Sequence, residues 1–340
     1  MRNPITTILS FSKWVYIRTV TTHPFCLVNP STFHMSTSTL PQIVSYGHQL
    51  DMSEDKFGLL RDSSDAATDF VELRKRFDTD GYLYMKGYLD RGQVLEARSS
   101  LTERLAAAGV LDEAYPHSDG VCKPGSGYVF KPEITNGNPH IQELLYSGRL
   151  PDFYRQFYGE EIRHYDFTWL RAIGPGKGTN PHCDLPYMGR GTHKHMTCWV
   201  PYGDISFELG GLMVLEGSHK RMDLLESYVY RDVDGYCENK PKDVEAAKAG
   251  KWAFTGTLSH NPPSVVNKFG GRWLSTEFEP GDFVTFGMFL VHASLDNRTE
   301  NRLRISSDAR YQRASEPIDE RWVGINPPGH TLAGKRGRIC

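Results

Sequence analysis

The chain has 340 residues, of which 39% are hydrophobic, 12% aromatic and 24% charged, enough to bury a sizeable core and unlike the composition of disordered chains. Its 39 basic and 41 acidic side chains give a formal charge of -2, which excludes a chain-wide grip on nucleic acid. No apolar run approaches the ~20 residues of a membrane span, and the mean hydropathy is -0.47.

Residues 1–50 carry Arg2, Lys13 and Arg18 and no Asp or Glu. A basic, Ser/Thr-rich leader with an apolar stretch from Ile5 to Val20 resembles a mitochondrial transit peptide. Met35, which opens MSTSTLP, supports the competing reading of an unstructured extension or an upstream start. Either way residues 1–50 are expected to lie outside the fold, leaving one domain over 51–340. The six cysteines, at 26, 122, 183, 198, 237 and 340, form no CxxC pair and no dense framework, which predicts a reducing compartment. The expected location is intracellular: cytoplasmic, or mitochondrial if residues 1–34 are a genuine transit peptide. The chain ends Gly337-Arg338-Ile339-Cys340, which is neither a peroxisomal signal nor a prenylation box.

From Ala66 to Phe77 the apolar residues Phe70, Leu73 and Phe77 fall at i, i+3 and i+7, predicting a helix. Asp80-Gly81 breaks it, and Gly81 to Leu89 alternates as a short strand. Further helices are predicted over Arg91 to Leu105, Ile141 to Tyr146 and Leu150 to Tyr158, with a Gly/Pro-rich loop over 112–137. From Ile162 the pattern turns to short strands: Ile162 to Ile173, His195 to Pro201, Leu212 to Glu216, Asp282 to Phe286, Phe289 to His292 and Arg302 to Tyr311. Turn residues separate most of them, as in an all-β barrel or sandwich. A long insertion at about 221–275 reads as a lid, a binding loop or a disordered segment. Its Trp252, Phe254 and Trp273 are expected to pack in the core rather than line a pocket.

His182-Cys183-Asp184 is the sharpest local feature. On a strand, residues i and i+2 share a face, so an imidazole and a carboxylate can reach one metal ion. His292, at the end of the apolar run Phe283 to Val291, would complete a two-histidine, one-carboxylate face with open positions. Standing alone, HxD is better explained by a surface His near an Asp. Beyond His292, Arg302, Arg304, Ser306, Asp308 and Arg310 alternate onto one face of a predicted strand. Such a face is costly to bury unless it binds an anion, and Arg suits a carboxylate because its planar fork binds bidentately. The bland reading makes it the solvent side of an edge strand. Gly174-Pro175-Gly176-Lys177-Gly178-Thr179 fits neither phosphate-loop template and reads as the turn into His182. His193, His195 and His219 are expected to be structural or surface residues.

Residues from about 66 to 312 resemble the phytanoyl-CoA dioxygenase family. The segments that carry the resemblance are Thr168-Trp169-Leu170-Arg171-Ala172, Thr179 to Asp184, Tyr187 to Thr192, Trp199-Val200-Pro201, Gly210 to His219 and His292 to Gln312. The resemblance implies a mainly β fold with flanking helices around a double-stranded β-helix (jelly-roll, cupin-like) core. It also implies an Fe(II)- and 2-oxoglutarate-dependent dioxygenase that uses O2, releases succinate and CO2, and hydroxylates a small organic substrate. Carried over by position, His182, Asp184 and His292 are the implied iron ligands. Arg302 is the implied 2-oxoglutarate arginine, with Arg304 as the fallback. Ser294, Trp169, Trp199 and Lys131 are implied contacts to the co-substrate. Halogenating relatives replace the carboxylate with a small residue, so Asp184 implies hydroxylation or a related oxidation. Nothing marks a CoA site. Two other readings stay open: a non-catalytic jelly-roll binding module and a metal-dependent hydrolase. The sequence leaves the oligomeric state undetermined.

Overall fold

The computed structural model describes residues 42–340, so the expected leader up to residue 41 lies outside the described residues. The described chain begins with a hairpin, β1 (Val44–Ser45) and β2 (His48–Gln49), followed by β3 (Phe57–Leu59). Asp69 caps α1 (Phe70–Asp80) by accepting the Val71 and Glu72 N–H groups, and Gly81, at φ 79°, ends it in the left-handed conformation that glycine adopts without strain. After β4 (Tyr82–Met85), Asp90 caps α2 (Arg91–Ala107) through the Gln93 N–H. Then come β5 (Tyr128–Val129), α3 (Pro139–Tyr146) and α4 (Arg149–Tyr158). The stretch expected to be one strand from Ile162 to Ile173 is two, β6 (Ile162–His164) and β7 (Trp169–Ile173). Between them the Asp166 N–H leaves the ladder and donates to the Trp322 carbonyl.

The next elements are α5 (Leu185–Met188), β8 (Met196–Pro201), β9 (Leu212–Leu215), α6 (Met222–Val229), β10 (Gly235–Cys237), α7 (Pro241–Lys248), α8 (Pro262–Phe269) and β11 (Trp273–Ser275). The chain finishes with β12 (Phe283–Gly287), β13 (His292–Ser294), β14 (Arg304–Arg313) and β15 (Arg336–Arg338).

Seven strands form one sheet in the order β4-β12-β8-β14-β7-β5, with β6 also paired to β14; four form a second, β13-β9-β11-β3. The period of two along β14 divides its side chains between two environments. Ile305, Ala309 and Tyr311 pack with Leu73, Leu101 and Phe153 of the helices behind the large sheet. Arg304, Ser306, Asp308 and Arg310 take the other face, and all four are buried. On that side Tyr84, Trp199 and Phe286 of the large sheet meet Leu212, Val214 and Leu274 of the small one. Phe153, fully buried and ringed by Phe70, Tyr88 and Phe283, anchors the helical layer; truncating such a ring to Ala costs about 3–5 kcal/mol.

Four expectations are corrected. Helical residues outnumber strand residues among the described residues, so the chain is a sheet core heavily covered by helices rather than mainly β. Residues 43–50 belong to the fold and not to the leader. Ile43 and Leu50 are buried, the Ser45 hydroxyl donates to the Ser294 carbonyl, and the Tyr46 and Gly47 N–H groups donate to the Asp296 carboxylate. The stretch 221–275 is built of regular elements rather than disordered: α6 and α8 pack in one core with Met213, Leu215 and Trp273 of the small sheet, α7 lies against β10, and β11 lies inside the small sheet between β9 and β3. Finally, Cys237 and Cys340 are disulfide-bonded beside the parallel pair β10 and β15. The cysteine spacing did not anticipate a bond across 103 residues.

Candidate active site

His182 and His292 form a backbone bridge, each N–H donating to the other's carbonyl at 3.0 and 2.9 Å. Directly opposed residues in antiparallel chains put their side chains on the same side, and the two rings lie 4.2 Å apart. Two residues after His182, Asp184 precedes α5 and brings its carboxylate to the same spot. Its Oδ1 lies 3.8 Å from His182 Nε2 and 3.6 Å from His292 Nε2. One donor atom from each residue fits within a 4.8 Å group, and all three residues are buried.

Each ring nitrogen facing away from this spot is engaged. His182 Nδ1 donates to the Asn180 carbonyl at 2.7 Å, and His292 Nδ1 to the Leu290 carbonyl at 3.0 Å. Those bonds set the tautomer and leave both Nε2 lone pairs turned inward. Burial, reinforced by the neighbouring His292, pushes the His182 imidazole down to about 3. Burial lowers His292 as well. Both rings are therefore neutral ligands near pH 7.

The strand register supplies the support for Asp184. Arg310 on β14 lies opposite Thr197 on β8, and both reach Asp184 Oδ2, the hydroxyl at 2.5 Å and the guanidinium at 2.9 Å. Burial works to raise this carboxyl, but Arg310 and the two imidazoles more than offset it and hold it far below the usual carboxylate range. One carboxylate oxygen is thus anchored and the other is open. Two neutral imidazole nitrogens and one carboxylate oxygen on one side of a buried space fit a divalent metal with free coordination positions.

Two cavities open from this point. A small one of about 20 Å³ is lined by His292, Ser294, Trp199, Leu212, Phe286 and Arg304, among others. Arg304 lines it and is buried, with Nη1 donating to the Gly210 carbonyl at 3.0 Å. Ser294 Oγ accepts the Thr179 N–H at 2.7 Å. A larger cavity of about 260 Å³ lies beside His182 and Asp184, walled by Trp169, Tyr187, Met188 and Trp252 and bearing Arg171 and His330.

The structure therefore brings together His182, Asp184, His292, Ser294, Trp199, Trp169 and Arg304, but neither Arg302 nor Lys131. Alternation puts Arg302 and Arg304 on one face. However, β14 begins at Arg304, while Arg302 sits before it, exposed and bridged through its backbone to Val121. The preference for Arg302 is reversed by where pairing begins. Lys131 lies just ahead of a short 3-10 turn and lines neither cavity. Trp252, expected in the core, lines the larger cavity. Thr197, Arg171 and His330 were not anticipated. Arg171 does share the face of Trp169 at a spacing of two, a signal that was available in the sequence.

The phytanoyl-CoA dioxygenase family model matches residues 77–306. The chain is 26% identical over 255 residues to 1-deoxypentalenic acid 11-beta-hydroxylase of Streptomyces exfoliatus, covering 72% of this chain and 81% of that enzyme. It is 24% identical over 273 residues to the enzyme of the same name from Streptomyces arenae, covering 77% and 87%. Its fold is like that of EctD from S. alaskensis with bound Fe, at a TM-score of 0.51 and 19% identity over 82% of this chain and 91% of that one. It is also like the non-heme alpha ketoglutarate dependent carbocyclase SnoK from nogalamycin biosynthesis, at 0.51 and 16% over 77% and 89%.

Proposed function

The chain belongs to the phytanoyl-CoA dioxygenase family and is an Fe(II)- and 2-oxoglutarate-dependent dioxygenase, and we propose that it hydroxylates a compact, largely apolar small molecule held in the larger cavity. The observation that carries this is the meeting of two cavities at one triad: a small one ending on a buried arginine, and a wider aromatic one. We further propose that the two sheets form a double-stranded β-helix core, with residues 42–340 as one oxygenase domain.

Fe(II) held by His182, Asp184 and His292, with 2-oxoglutarate and O2, supplies the oxidising chemistry, and succinate and CO2 leave as by-products. Arg304 presents its fork to the distal carboxylate of the co-substrate, and the Gly210 carbonyl fixes the plane of that fork. Ser294 accepts from Thr179, so its own proton remains to be donated to the same carboxylate. Trp199 and Leu212 wall this space and strengthen the charge pair by excluding water. Arg310 and Thr197 keep Asp184 ionised and aimed. Trp169 carries the Arg310 guanidinium 4.0 Å over its ring, and both side chains line the larger cavity. The relatives named as 1-deoxypentalenic acid hydroxylases act on a carboxylic acid, which suits a cavity that sets Arg171 and Arg310 among aromatic side chains.

The test is 2-oxoglutarate-dependent succinate formation with added Fe(II). His182→Ala is expected to reduce it to background. Arg304→Ala is expected to raise the KM for 2-oxoglutarate by about 30-fold or more, the cost of truncating one member of a buried charge pair. Arg302→Ala is expected to match the parent protein. Equal turnover in the parent protein and His182→Ala would overturn the oxygenase assignment; a KM effect in Arg302→Ala alone would overturn the role of Arg304.

A further inference from the structure

We infer that His330, clamped by Asp234, is the residue that recognises the substrate, and that it does so by accepting a hydrogen bond from a substrate hydroxyl. This rests on the reading of the larger cavity as the substrate site. His330 lies on the C-terminal segment, beyond the residues 77–306 matched by the family, and it lines the same cavity as His182 and Asp184. Tyr187 connects the two ends, its ring 5.7 Å from His182 and 6.1 Å from His330.

Asp234 is fully buried and does not line the cavity. Its Oδ2 accepts from His330 Nδ1 at 2.7 Å and Arg321 Nη1 at 2.6 Å; its Oδ1 accepts from Lys335 Nζ at 3.0 Å and Trp252 Nε1 at 3.2 Å. The charges around it already balance. Arg190, Arg321 and Lys335 stand against Asp232, Asp234 and Asp319. His330 is therefore not needed to neutralise Asp234. The bond instead fixes the ring. With Nδ1 donating to Asp234, the tautomer that matches this bond carries Nε2 as its acceptor, on the part of the ring away from Asp234, and the ring lines the cavity.

Packing holds the ring as well. Trp322 and Trp252 stand edge-on to it at 4.8 and 5.1 Å. The same carboxylate orients Trp252 and His330, two neighbouring parts of one cavity wall. An acceptor oriented by a buried carboxylate, set beside Trp169, Tyr187 and Trp252 in a wall that also holds Arg171 and Arg310, is the arrangement by which pockets select a ligand. A site built to pair with a hydroxyl also rejects the analogue that lacks it.

The experiment uses the Fe(II)·2-oxoglutarate complex without oxygen and two probes, 2-naphthalenemethanol and its methyl ether, which differ in the O–H proton. The alcohol is expected to bind the parent protein about tenfold more tightly than the ether, with the ratio falling to within about twofold in His330→Phe and His330→Asn. The first variant keeps the ring packing, and the second keeps a donor to Asp234, so the two test the acceptor against different structural losses. An equal response to both probes in the parent protein, absence of binding included, overturns the inference; so does a ratio that survives in either variant. A third probe, 2-naphthoate, binding more tightly than the alcohol and losing that advantage in both variants would overturn the acceptor role and give the ring a charged one. Binding of 2-oxoglutarate to the Fe(II) protein is followed separately by absorbance. Its absence overturns the oxygenase assignment, whereas the alcohol-to-ether ratio judges His330.

Discussion

Asp184 and Asp234 are both buried carboxylates beside the same cavity, and they are held in opposite ways. Asp184 has one oxygen anchored by Thr197 and Arg310 and the other facing only two imidazole nitrogens. Asp234 has both oxygens taken, by two cations, an imidazole and an indole. The open oxygen makes the first a ligand. The saturated pair makes the second a clamp, whose work is to hold other side chains in place. Counting donors on each oxygen thus separates chemistry from support where burial and charge alone do not.

The clamp is expected to give the largest stability effect. Asp234→Ala leaves Lys335 without its carboxylate and takes from Arg321 the partner it shares with His330, leaving it Asp319 and Asp232, while both cations remain largely buried, and removing one member of such a network costs about 3–5 kcal/mol. Chemical denaturation of the metal-free protein measures it; a loss below about 1 kcal/mol would erase the distinction drawn here.

Arg310→Met tests the other carboxylate. The fold should persist, because the methionine stem can still pack on Trp169, but Fe(II) affinity should fall about 10- to 100-fold, the usual cost of losing an outer partner of a metal ligand. Metal titration followed by 2-oxoglutarate absorbance reports it. An unchanged affinity would mean that Thr197 alone suffices.

The smallest effect concerns His195, which feels both Arg310 and Asp184 on one side and Asp319 on the other. Burial pushes its imidazole down to about 4 from the ordinary 6.5. Between those values the unfolded chain binds the proton and the folded protein does not, so stability falls as pH falls through that window. The slope contributed is at most about 1.4 kcal/mol per pH unit. His195→Gln should flatten the denaturation profile between pH 6.5 and 4 by about one proton; an unaltered slope would show that the ring is protonated in the fold.

What the sequence revealed follows the range of each pattern. The His182-x-Asp184 spacing and the period of two along 304–310 are local, and they were readable because a strand forces i and i+2 to one face. The choice between Arg302 and Arg304 was not readable, since both obey that period and only the start of pairing buries one and exposes the other. The β11 strand was hidden because a run of three residues at the end of a helical excursion carries no period. The clamp was hidden for a different reason. Asp234 and His330 are 96 residues apart, and no short window contains both.

Asp296 carries a last consequence. Its carboxylate accepts the Tyr46 and Gly47 N–H groups and also the Gly178 N–H, four residues before His182. One side chain therefore ties the start of the described chain to the loop that delivers a metal ligand. A polypeptide trimmed to the family-matched region, or started at Asp51, would keep every iron-binding residue and yet lose the brace behind one of them. For truncation and gene fusion, the working boundary of this enzyme lies before residue 43.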